Sequence, residues 1–495
     1  MPVARPLPLL SCVAVPIAAA LSLSVAAAAS APVARAQQPA ARPAVRAPAP
    51  AAPQPERPAA AAVPQPYVEE LPGMGRPIDV AATAARRERL MERLGDAVVV
   101  IPASRGRNAE TDYVQDNDFR QSNTFFYFTQ LEQPRAFLVM SARAAGPDTV
   151  VLLLPDRNPQ AERWIGRGLG AGESAARLTG VPIVLSVTKL DSVLGAVRGR
   201  GVPVYVPQDR YSQGVQVLDL LRADSGVVVR NLRPTVDSLR VAKDAAEIAA
   251  LRRAIEITGE ALREVLRTME PGTFEYQIEA VIEGTFRRLG ADRVGFPSIV
   301  ASGVNGTVMH YDVNRRRTDP GDLVVMDIGA EYGQHTADVT RTYPVSGRFT
   351  PRQRQIYDLV LAVNQVVIDS VRPGMTLPGL NQIAFAYLRA NSGSLCGAPP
   401  ATCAPYMIHG VSHYIGMDVH DVGPAYAPLV PGAVFTVEPG IYLPDEGFGI
   451  RIEDDVLVTP TGHEVLSAGA PKAVAEIERM MQRPAAAPRR SGRGG

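Results

Sequence analysis

The most informative stretch for the fold of this chain is Leu323-Val324-Val325-Met326-Asp327-Ile328-Gly329. Apolar residues fill it except at Asp327, so the pattern predicts a strand buried in a core. A lone ionised carboxylate in such a strand costs several kcal/mol of desolvation unless it is paired or bound to a metal. Asp327 therefore needs a positively charged partner, either a side chain of another segment or a metal ion.

A second acidic residue follows in Thr336-Ala337-Asp338-Val339-Thr340-Arg341. We expect 322–329 and 336–343 to be two strands joined by a short turn. If they pair antiparallel, both carboxylates reach the same face of the sheet. Two adjacent carboxylates repel each other, so a cation must compensate them, either an arginine such as Arg341 or a metal ion.

Three more polar residues, His413, Glu438 and Glu453, interrupt apolar, strand-like segments further along the chain. With Asp327 and Asp338 they make one imidazole and four carboxylates, a set that suits two hard or borderline divalent ions with bridging oxygens. Any one of the five could be an ordinary core residue or half of an ion pair. Together they predict the two-metal site of a hydrolase, in the first place a peptidase.

All six histidines lie in the C-terminal half, between His310 and His463. Three of them are surplus to metal ligation and are candidates for moving protons or holding a substrate carbonyl: His310, His409 and His420. We expect His335 and His463 to be solvated loop residues.

The rest of the sequence predicts two domains. Strand-like and helical segments alternate over 67–232, which indicates a small α/β domain. We expect its strands at 97–101, 125–128, 136–140, 149–154 and 204–206. Residues 233–483 should form an α+β domain that holds every candidate site residue, with long helices at 245–269, 274–289 and 351–371.

The two ends of the chain and its charge bear on localisation and partners. An apolar run followed by Ala34-Arg35-Ala36 indicates a signal peptide over 1–36, with export to the periplasm or beyond. Pro16 disfavours the alternative, an uncleaved anchor helix, so we expect no stable membrane span after cleavage. The Ala/Pro-rich stretch 37–66 and the basic tail 484–495 should be disordered. A net charge of +1 gives no reason to expect a nucleic-acid partner.

Three cysteines are present, and Cys12 would leave with the signal peptide. In an exported protein the remaining pair, Cys396 and Cys403, brackets a Gly/Pro loop and indicates a local disulfide; two unpaired thiols are the alternative. Neither interpretation makes them catalytic, since no base-rich motif surrounds them.

Several motifs of the C-terminal half resemble aminopeptidase P, the Xaa-Pro aminopeptidase branch of the metallopeptidases with a pita-bread fold. They include Met309-His310-Tyr311-Asp312-Val313-Asn314, His409-Gly410-Val411-Ser412-His413, Asp418-Val419-His420-Asp421-Val422-Gly423, Val437-Glu438-Pro439-Gly440-Ile441-Tyr442 and Gly449-Ile450-Arg451-Ile452-Glu453-Asp454. The resemblance reaches the N-terminal domain through 118–123 and 164–167, which excludes the short methionine aminopeptidases. It implies an α/β N-terminal domain and an α+β pita-bread catalytic domain.

The resemblance also implies roles for the metal ligands. Asp327 would bind one metal through both oxygens, and Asp338 and Glu453 would bridge two metals. His413 and Glu438 would complete the second metal. The ions would be divalent, with manganese the one that the family usually uses.

The remaining site residues take roles by the same resemblance. His310, His409 and His420 match the family's substrate-contacting histidines, and Arg451 matches a partner of its metal-site network. The activity implied is release of the first residue from peptides with an Xaa-Pro N-terminus, by attack of a hydroxide shared between the metals. Glu438 would pass a proton to the leaving nitrogen. Such enzymes commonly form dimers or tetramers, so we expect a homodimer or homotetramer.

Other activities on this fold have to be weighed against this one. A proline dipeptidase shares the five ligands, but Ser412 and the run Asp418-Val419-His420-Asp421-Val422 favour aminopeptidase P. A non-catalytic pita-bread binding module would have lost ligands, and all five are present. A creatinase-like amidinohydrolase works without this ligand set.

Overall fold

The structure, a computed structural model, describes residues 76–105, 119–141, 149–165, 167–198, 201–208, 217, 221, 226–398 and 400–482. All of them belong to one unit, 63–495. The predicted signal peptide, linker and basic tail lie outside the described residues. Within those residues, no helix is both long enough and apolar enough to cross a bilayer.

The N-terminal half is built on a six-stranded mixed sheet. Its strands are β1 (Val98–Pro102), β2 (Phe137–Ser141), β3 (Thr149–Leu154), β4 (Ile183–Ser186), β5 (Val204–Val206) and β6 (Val229–Asn231). They follow the order β4-β3-β2-β1-β5-β6, in which β2 runs antiparallel to both its neighbours and the other pairs are parallel. Apolar side chains alternate between two buried clusters, one on each face, as the alternating pattern of an α/β domain requires.

Helices precede β1 and lie between the later strands along the chain. They are α1 (Val80–Leu94), α2 (Asn123–Thr129), α3 (Pro159–Ile165), α4 (Glu173–Thr179) and α5 (Leu190–Arg198). The prediction of a strand at 125–128 was wrong, because this segment is the buried core of α2. A four-residue apolar run cannot distinguish a buried strand from a buried helix by its period. Here Arg86 and Arg87 of α1 donate to carbonyls of the last turn of α2, at 2.9 and 2.8 Å, which satisfies groups that a helix end leaves free.

The C-terminal half adds longer helices and short strands. The helices are α6 (Arg233–Arg240), α7 (Ala245–Thr268), α8 (Glu275–Arg288), α9 (Pro351–Asp369), α10 (Leu377–Asn391) and α11 (Val474–Met480). The strands are β7 (Arg293–Val294), β8 (Ile299–Ser302), β9 (Leu323–Ile328), β10 (Ala330–Tyr332), β11 (His335–Thr336), β12 (Val339–Pro344), β13 (Val434–Val437), β14 (Gly440–Leu443), β15 (Phe448–Arg451), β16 (Asp454–Val458) and β17 (His463–Val465). The three long helices expected from the sequence are α7, α8 and α9.

The strands of this half form small antiparallel sheets, β12-β9-β8, β13-β16-β17, β14-β15 and β11-β10-β7. The predicted antiparallel pairing of the two Asp-bearing segments is confirmed, with Thr340 of β12 opposite Asp327 of β9. Asp338 lies two residues before Thr340 and so shares the face of Asp327. The alternate residues of β9, such as Met326, pack into the large core beneath α7 and α9.

Two histidines differ from the sequence prediction, because neither is a solvated loop residue. His335 is buried, with Nδ1 2.7 Å from the carbonyl oxygen of Gly333 and Nε2 3.6 Å from a carboxylate oxygen of Glu247. His463 lies half-buried in β17, 3.0 Å from the carbonyl oxygen of Val371. Both imidazoles are therefore packed against the fold.

The remaining cysteine pair forms a disulfide, as the Gly/Pro loop between Cys396 and Cys403 indicated. Cys403 is buried, and its backbone N–H donates to the hydroxyl of Ser392, just after α10, at 2.8 Å. The disulfide thus fastens the segment before His409 to the end of α10.

Polar contacts join the two halves. Arg86 of α1 donates to both carboxylate oxygens of Asp244, the N-cap of α7, at 2.7 and 3.0 Å. Asn123 of α2 donates to Asp418 at 2.6 Å. The second contact lies two residues from His420, so the N-terminal half borders the candidate site.

Candidate metal centre

Three of the five predicted ligands meet at one point. Asp338 precedes β12, Glu453 lies between β15 and β16, and His413 lies beside β13. One donor atom of each falls within 4.8 Å of the others. Within the group, Asp338 Oδ2 lies 3.3 Å from His413 Nε2. Carboxylate and imidazole donors this close together could bind one metal ion.

The other two predicted ligands border this group. An oxygen of Glu438, which follows β13, lies 3.6 Å from His413 Nε2. Asp327 is close enough for its charge to raise the pKa values of Asp338 and Glu453. The structure thus brings all five residues around one space.

The carboxylates of this group are charged only at a cost. Burial, followed by the charges of neighbouring carboxylates, raises the pKa values of Asp338 and Glu453 well above their ordinary range. Burial, with the charge of Asp327, also raises the pKa of Glu438 to about 8. Closely spaced acids of this kind require additional positive charge to be ionised together.

The imidazole of His413 fits a metal in that role. Its Nδ1 lies 3.2 Å from the carbonyl oxygen of Tyr414 and so carries the proton, which turns the Nε2 lone pair toward Asp338 and Glu438. Burial and the neighbouring His420 lower the pKa of His413 to about 4, so the ring is neutral at pH 7. A lone pair facing two carboxylates is unfavourable unless a cation lies between them.

Asp327 also requires a cation beside it. One of its oxygens accepts from Arg451 at 2.6 Å, whereas the other is buried and has no hydrogen-bond partner in the described part of the chain. A buried acceptor without a partner is costly. The donor set therefore fits divalent cations that oxygen and imidazole ligands would hold.

Arg451, at the end of β15, links three parts of the site. Besides Asp327, its guanidinium donates to the hydroxyl of Tyr442 at 3.0 Å and to the hydroxyl of Thr340 at 3.1 Å. Pairing of β14 with β15 sets Gly440 opposite Arg451, which brings Tyr442 alongside. Arg451 thus orients Asp327 while it offsets part of the negative charge.

The three surplus histidines differ in position. His409 Nε2 lies 2.7 Å from the hydroxyl of Tyr442, and His409 Nδ1 lies 3.7 Å from an oxygen of Glu438. The ring centroid of His420 lies 4.3 Å from that of His413. His310 is exposed on the loop after β8, near enough for its charge to lower the pKa of His409 further, after burial.

Sequence reasoning missed several residues that hold these ligands. Thr340 donates to Glu453 at 2.5 Å, and Thr436 accepts from the backbone N–H of His413 at 3.1 Å. Asp455 accepts from the backbone N–H of Asp338 at 3.2 Å. The sequence offered only their spacing: each threonine lies two residues from an acidic ligand, which puts both side chains on one face of an extended segment.

Comparison with known proteins agrees with this geometry. Residues 249–460 match metallopeptidase family M24, and residues 83–205 match the N-terminal domain of aminopeptidase P. The two matches fall inside the ranges 233–483 and 67–232 expected as domains, whose exact bounds stay predictions.

The matches to individual relatives span nearly the whole length of each relative. Xaa-Pro aminopeptidase of Escherichia coli (strain K12) is 36% identical over 430 residues, which are 80% of this chain and 96% of that protein. Xaa-Pro aminopeptidase 1 of Streptomyces coelicolor is 33% identical over 82% of this chain and 88% of that protein.

Solved structures are similar as well. Proline aminopeptidase P II from Yersinia pestis superposes with a TM-score of 0.74 at 33% identity, over 82% of this chain and 99% of that one. Family match, full-length relatives and the geometry of the carboxylate–histidine cluster all agree. The chain accordingly belongs to metallopeptidase family M24, as a metal-dependent aminopeptidase of the aminopeptidase P type with the pita-bread fold.

Proposed function

We propose that this protein is an Xaa-Pro aminopeptidase, which releases the first residue from peptides that have proline in second position. The observation that carries the proposal is the cluster of Asp338, His413 and Glu453, with Glu438 and His409 at its edge. The names of its full-length relatives support the proline preference.

We propose that the five ligands hold two divalent ions and that these are manganese. Asp327 would bind one ion and His413 and Glu438 the other, with Asp338 and Glu453 shared. Oxygen-rich donor sets with one imidazole suit manganese. When bound, such ions supply Lewis acidity and lower the pKa of water towards neutrality.

The chain's own groups would bind the peptide and move its protons. The anionic cluster attracts the free α-amino group of a substrate. His409, His420 and His310 would hold the scissile carbonyl, and Arg451 would keep Asp327 oriented. Glu438 would pass a proton to the leaving nitrogen. Proline's nitrogen has no hydrogen in a peptide, so its selection depends on the shape of the pocket.

We further propose that the chain is exported and assembles as a homodimer or homotetramer. The sequence of residues 1–36 supports export, and the disulfide between Cys396 and Cys403 supports an oxidising destination. Fractionation of the source cells, with size measurement of the purified protein by light scattering, tests both points.

Metal analysis combined with a peptide assay tests the central proposal. Purified wild-type protein should contain divalent metal and release arginine from an Arg-Pro-Pro peptide. Glu438→Ala should lower kcat by about 10²–10⁴-fold, the range for loss of general acid–base catalysis. Glu464→Ala, at an exposed ion pair with Arg252, is the matched control and should keep full activity. Metal-free active protein, or an undiminished Glu438→Ala variant, would refute the proposal. Cleavage restricted to dipeptides would identify a proline dipeptidase instead.

A further inference from the structure

Glu275, the first residue of α8, is a fully buried carboxylate away from the metal cluster. Its Oε1 accepts from the backbone N–H of Ser302 at 2.7 Å, the hydroxyl of Ser302 at 2.7 Å and the amide of Asn305 at 3.1 Å. Its Oε2 accepts from the hydroxyl of Tyr311 and the backbone N–H of Arg316, both at 2.8 Å. Every one of these donors belongs to the segment 302–316.

That segment is the loop that carries His310. Its C-terminal end is fixed to the sheet beneath. The buried side chain of Asn314 accepts from the backbone N–H of Val300 in β8 at 3.0 Å and donates to the carbonyl oxygen of Ser298 at 2.8 Å. The tip of the loop is exposed, with Val308 at 53% and Val313 at 60% relative exposure. The loop therefore has a buried polar base, centred on Glu275, and an exposed end that includes His310.

Tyr311 connects the base to the tip. Its hydroxyl points inward to Glu275, while the adjacent residue, His310, is exposed. The loop also packs against the site, because a Cβ atom at Gly449 of β15, two residues before Arg451, would lie 2.0 Å from the carbonyl oxygen of Gly306. The hydrogen bond that holds Tyr311 inward therefore also sets the direction in which the adjacent side chain of His310 points.

We propose that Glu275 is a positioning residue for catalysis, which holds the 302–316 loop so that His310 faces the substrate at the metal centre. The inference rests on the proposed function, in which His310 contacts the peptide. Glu275 touches neither metal ligands nor substrate, and acts through the loop.

The substitution Glu275→Gln distinguishes a positioning role of this residue from a general structural one. Each oxygen of Glu275 faces a backbone N–H, that of Ser302 on one side and that of Arg316 on the other. A backbone N–H can only donate, so whichever way the substituted side-chain amide turned, its NH2 group would oppose a donor. Glu275→Gln therefore preserves size and disturbs the loop base alone.

The control lies on the same helix. Glu283 accepts one hydrogen bond, from the hydroxyl of Ser298 at 2.9 Å. A hydroxyl can rotate to accept instead of donate, so Glu283→Gln should leave the kinetics unchanged.

The test measures kcat and KM for an Arg-Pro-Pro peptide in a double-mutant cycle with His310→Ala. Glu275→Gln should lower kcat/KM by about tenfold, chiefly through a higher KM, which corresponds to about 1.4 kcal/mol. In the His310→Ala background the same substitution should have little further effect, because the group that it positions is gone. Metal content should match wild type in all variants.

A multiplicative loss in the His310→Ala background would overturn the inference and assign Glu275 a general structural role. Unchanged kinetics of Glu275→Gln would overturn it too. If Glu275→Gln fails to fold, Tyr311→Phe removes one contact to the same carboxylate and should raise KM in wild type and not in the His310→Ala background. Failure of the wild-type enzyme to cleave any Xaa-Pro peptide would instead count against the proposed function.

Discussion

Asp454 and Asp455 are neighbours in β16 and both fully buried, and yet their surroundings shift their pKa values in opposite directions. Burial by itself would raise the pKa of Asp454, but the charges of Arg341 and Lys472 outweigh it and hold that pKa below the ordinary range. Burial raises the pKa of Asp455 well above its ordinary value. A single step along the strand thus separates an acid paired with two cations from an acid that accepts from the backbone N–H of Asp338.

Replacement of Asp454 tests this difference. Asp454→Asn leaves Arg341 and Lys472 without the carboxylate that they approach to 2.8 and 2.6 Å, and should lower the free energy of unfolding by about 3–5 kcal/mol. Glu464→Gln, at an exposed ion pair, should change it by less than about 1 kcal/mol. Urea denaturation at pH 7 measures both. Equal effects would contradict the buried-pair argument.

The sign of the pH dependence follows from the same shift. The folded pKa of Asp454 is below the unfolded value of about 3.9, so its contribution is present above that pH and is lost as the pH falls below it. Wild-type stability should therefore fall more steeply below about pH 4 than that of Asp454→Asn. Parallel acid curves would show that Asp454 contributes nothing by this route.

At the scale of single residues, the sequence could predict those whose burial costs much free energy. A carboxylate in an apolar strand is expensive, so Asp327, Glu438 and Glu453 stand out in the printed sequence. Thr340 and Thr436 do not, because a hydroxyl is common in strands and costs little. Their hydrogen bonds to the ligands depend on strands far apart in the chain.

At the scale of elements, β9 and the start of β12 hold two ligands at a fixed separation. Gly329 follows β9, and a Cβ atom there would lie 1.8 Å from the carbonyl oxygen of Ala337. The backbones of the two segments touch at this point, directly between Asp327 and Asp338. Close approach therefore requires glycine here.

A pair of glycine substitutions tests this contact. Gly329→Ala should force the two segments apart, lower stability by at least about 1–3 kcal/mol and reduce metal content. Gly284→Ala, in the exposed middle of α8 where a Cβ meets nothing within 4 Å, should instead raise stability by about 0.5–1 kcal/mol. Thermal unfolding and metal analysis report both. Retention of full metal content by Gly329→Ala would contradict the contact.

Long helices could be predicted well and short elements poorly. The helices α7 and α9 begin at capping boxes made by Asp244 and Thr350, and both repeat apolar residues for several turns. The helix α2 has seven residues, which is too few for its period to show, and it was mistaken for a strand. Strands such as β11, of two residues, exist only because a partner lies beside them.

For the whole molecule, a charged group centred on Asp421 lies in the C-terminal half, next to its contact with the N-terminal half. Asp421 accepts from Lys243 at 3.1 Å and pairs with Arg240, and all three side chains are buried. Asp418 joins the same group and accepts from Asn123 of the N-terminal half. None of these pairings could be predicted from sequence, since they join residues that only the packing of separate sheets and helices brings together.

Removal of the metal ions should lower the stability of the entire catalytic half. Ions bound only by the folded state stabilise it, by about 2.7 kcal/mol at a concentration 100 times Kd. Excess EDTA should lower the Tm, and added Mn²⁺ should restore it. Asp338→Asn, which removes a proposed metal ligand, should show little change of Tm with EDTA. An equal shift in the variant would mean that the ions act elsewhere.

The five proposed ligands come from five separate segments, which approach one another only when β9, β12, β13 and the β15–β16 connection are in place. No short peptide of this chain contains all five, so metal loading at this centre must follow folding. A chain that is threaded unfolded across a membrane carries no ion with it. The ion that it acquires is then drawn from the pool of the compartment where its sheets pair, and not chosen by affinity order alone.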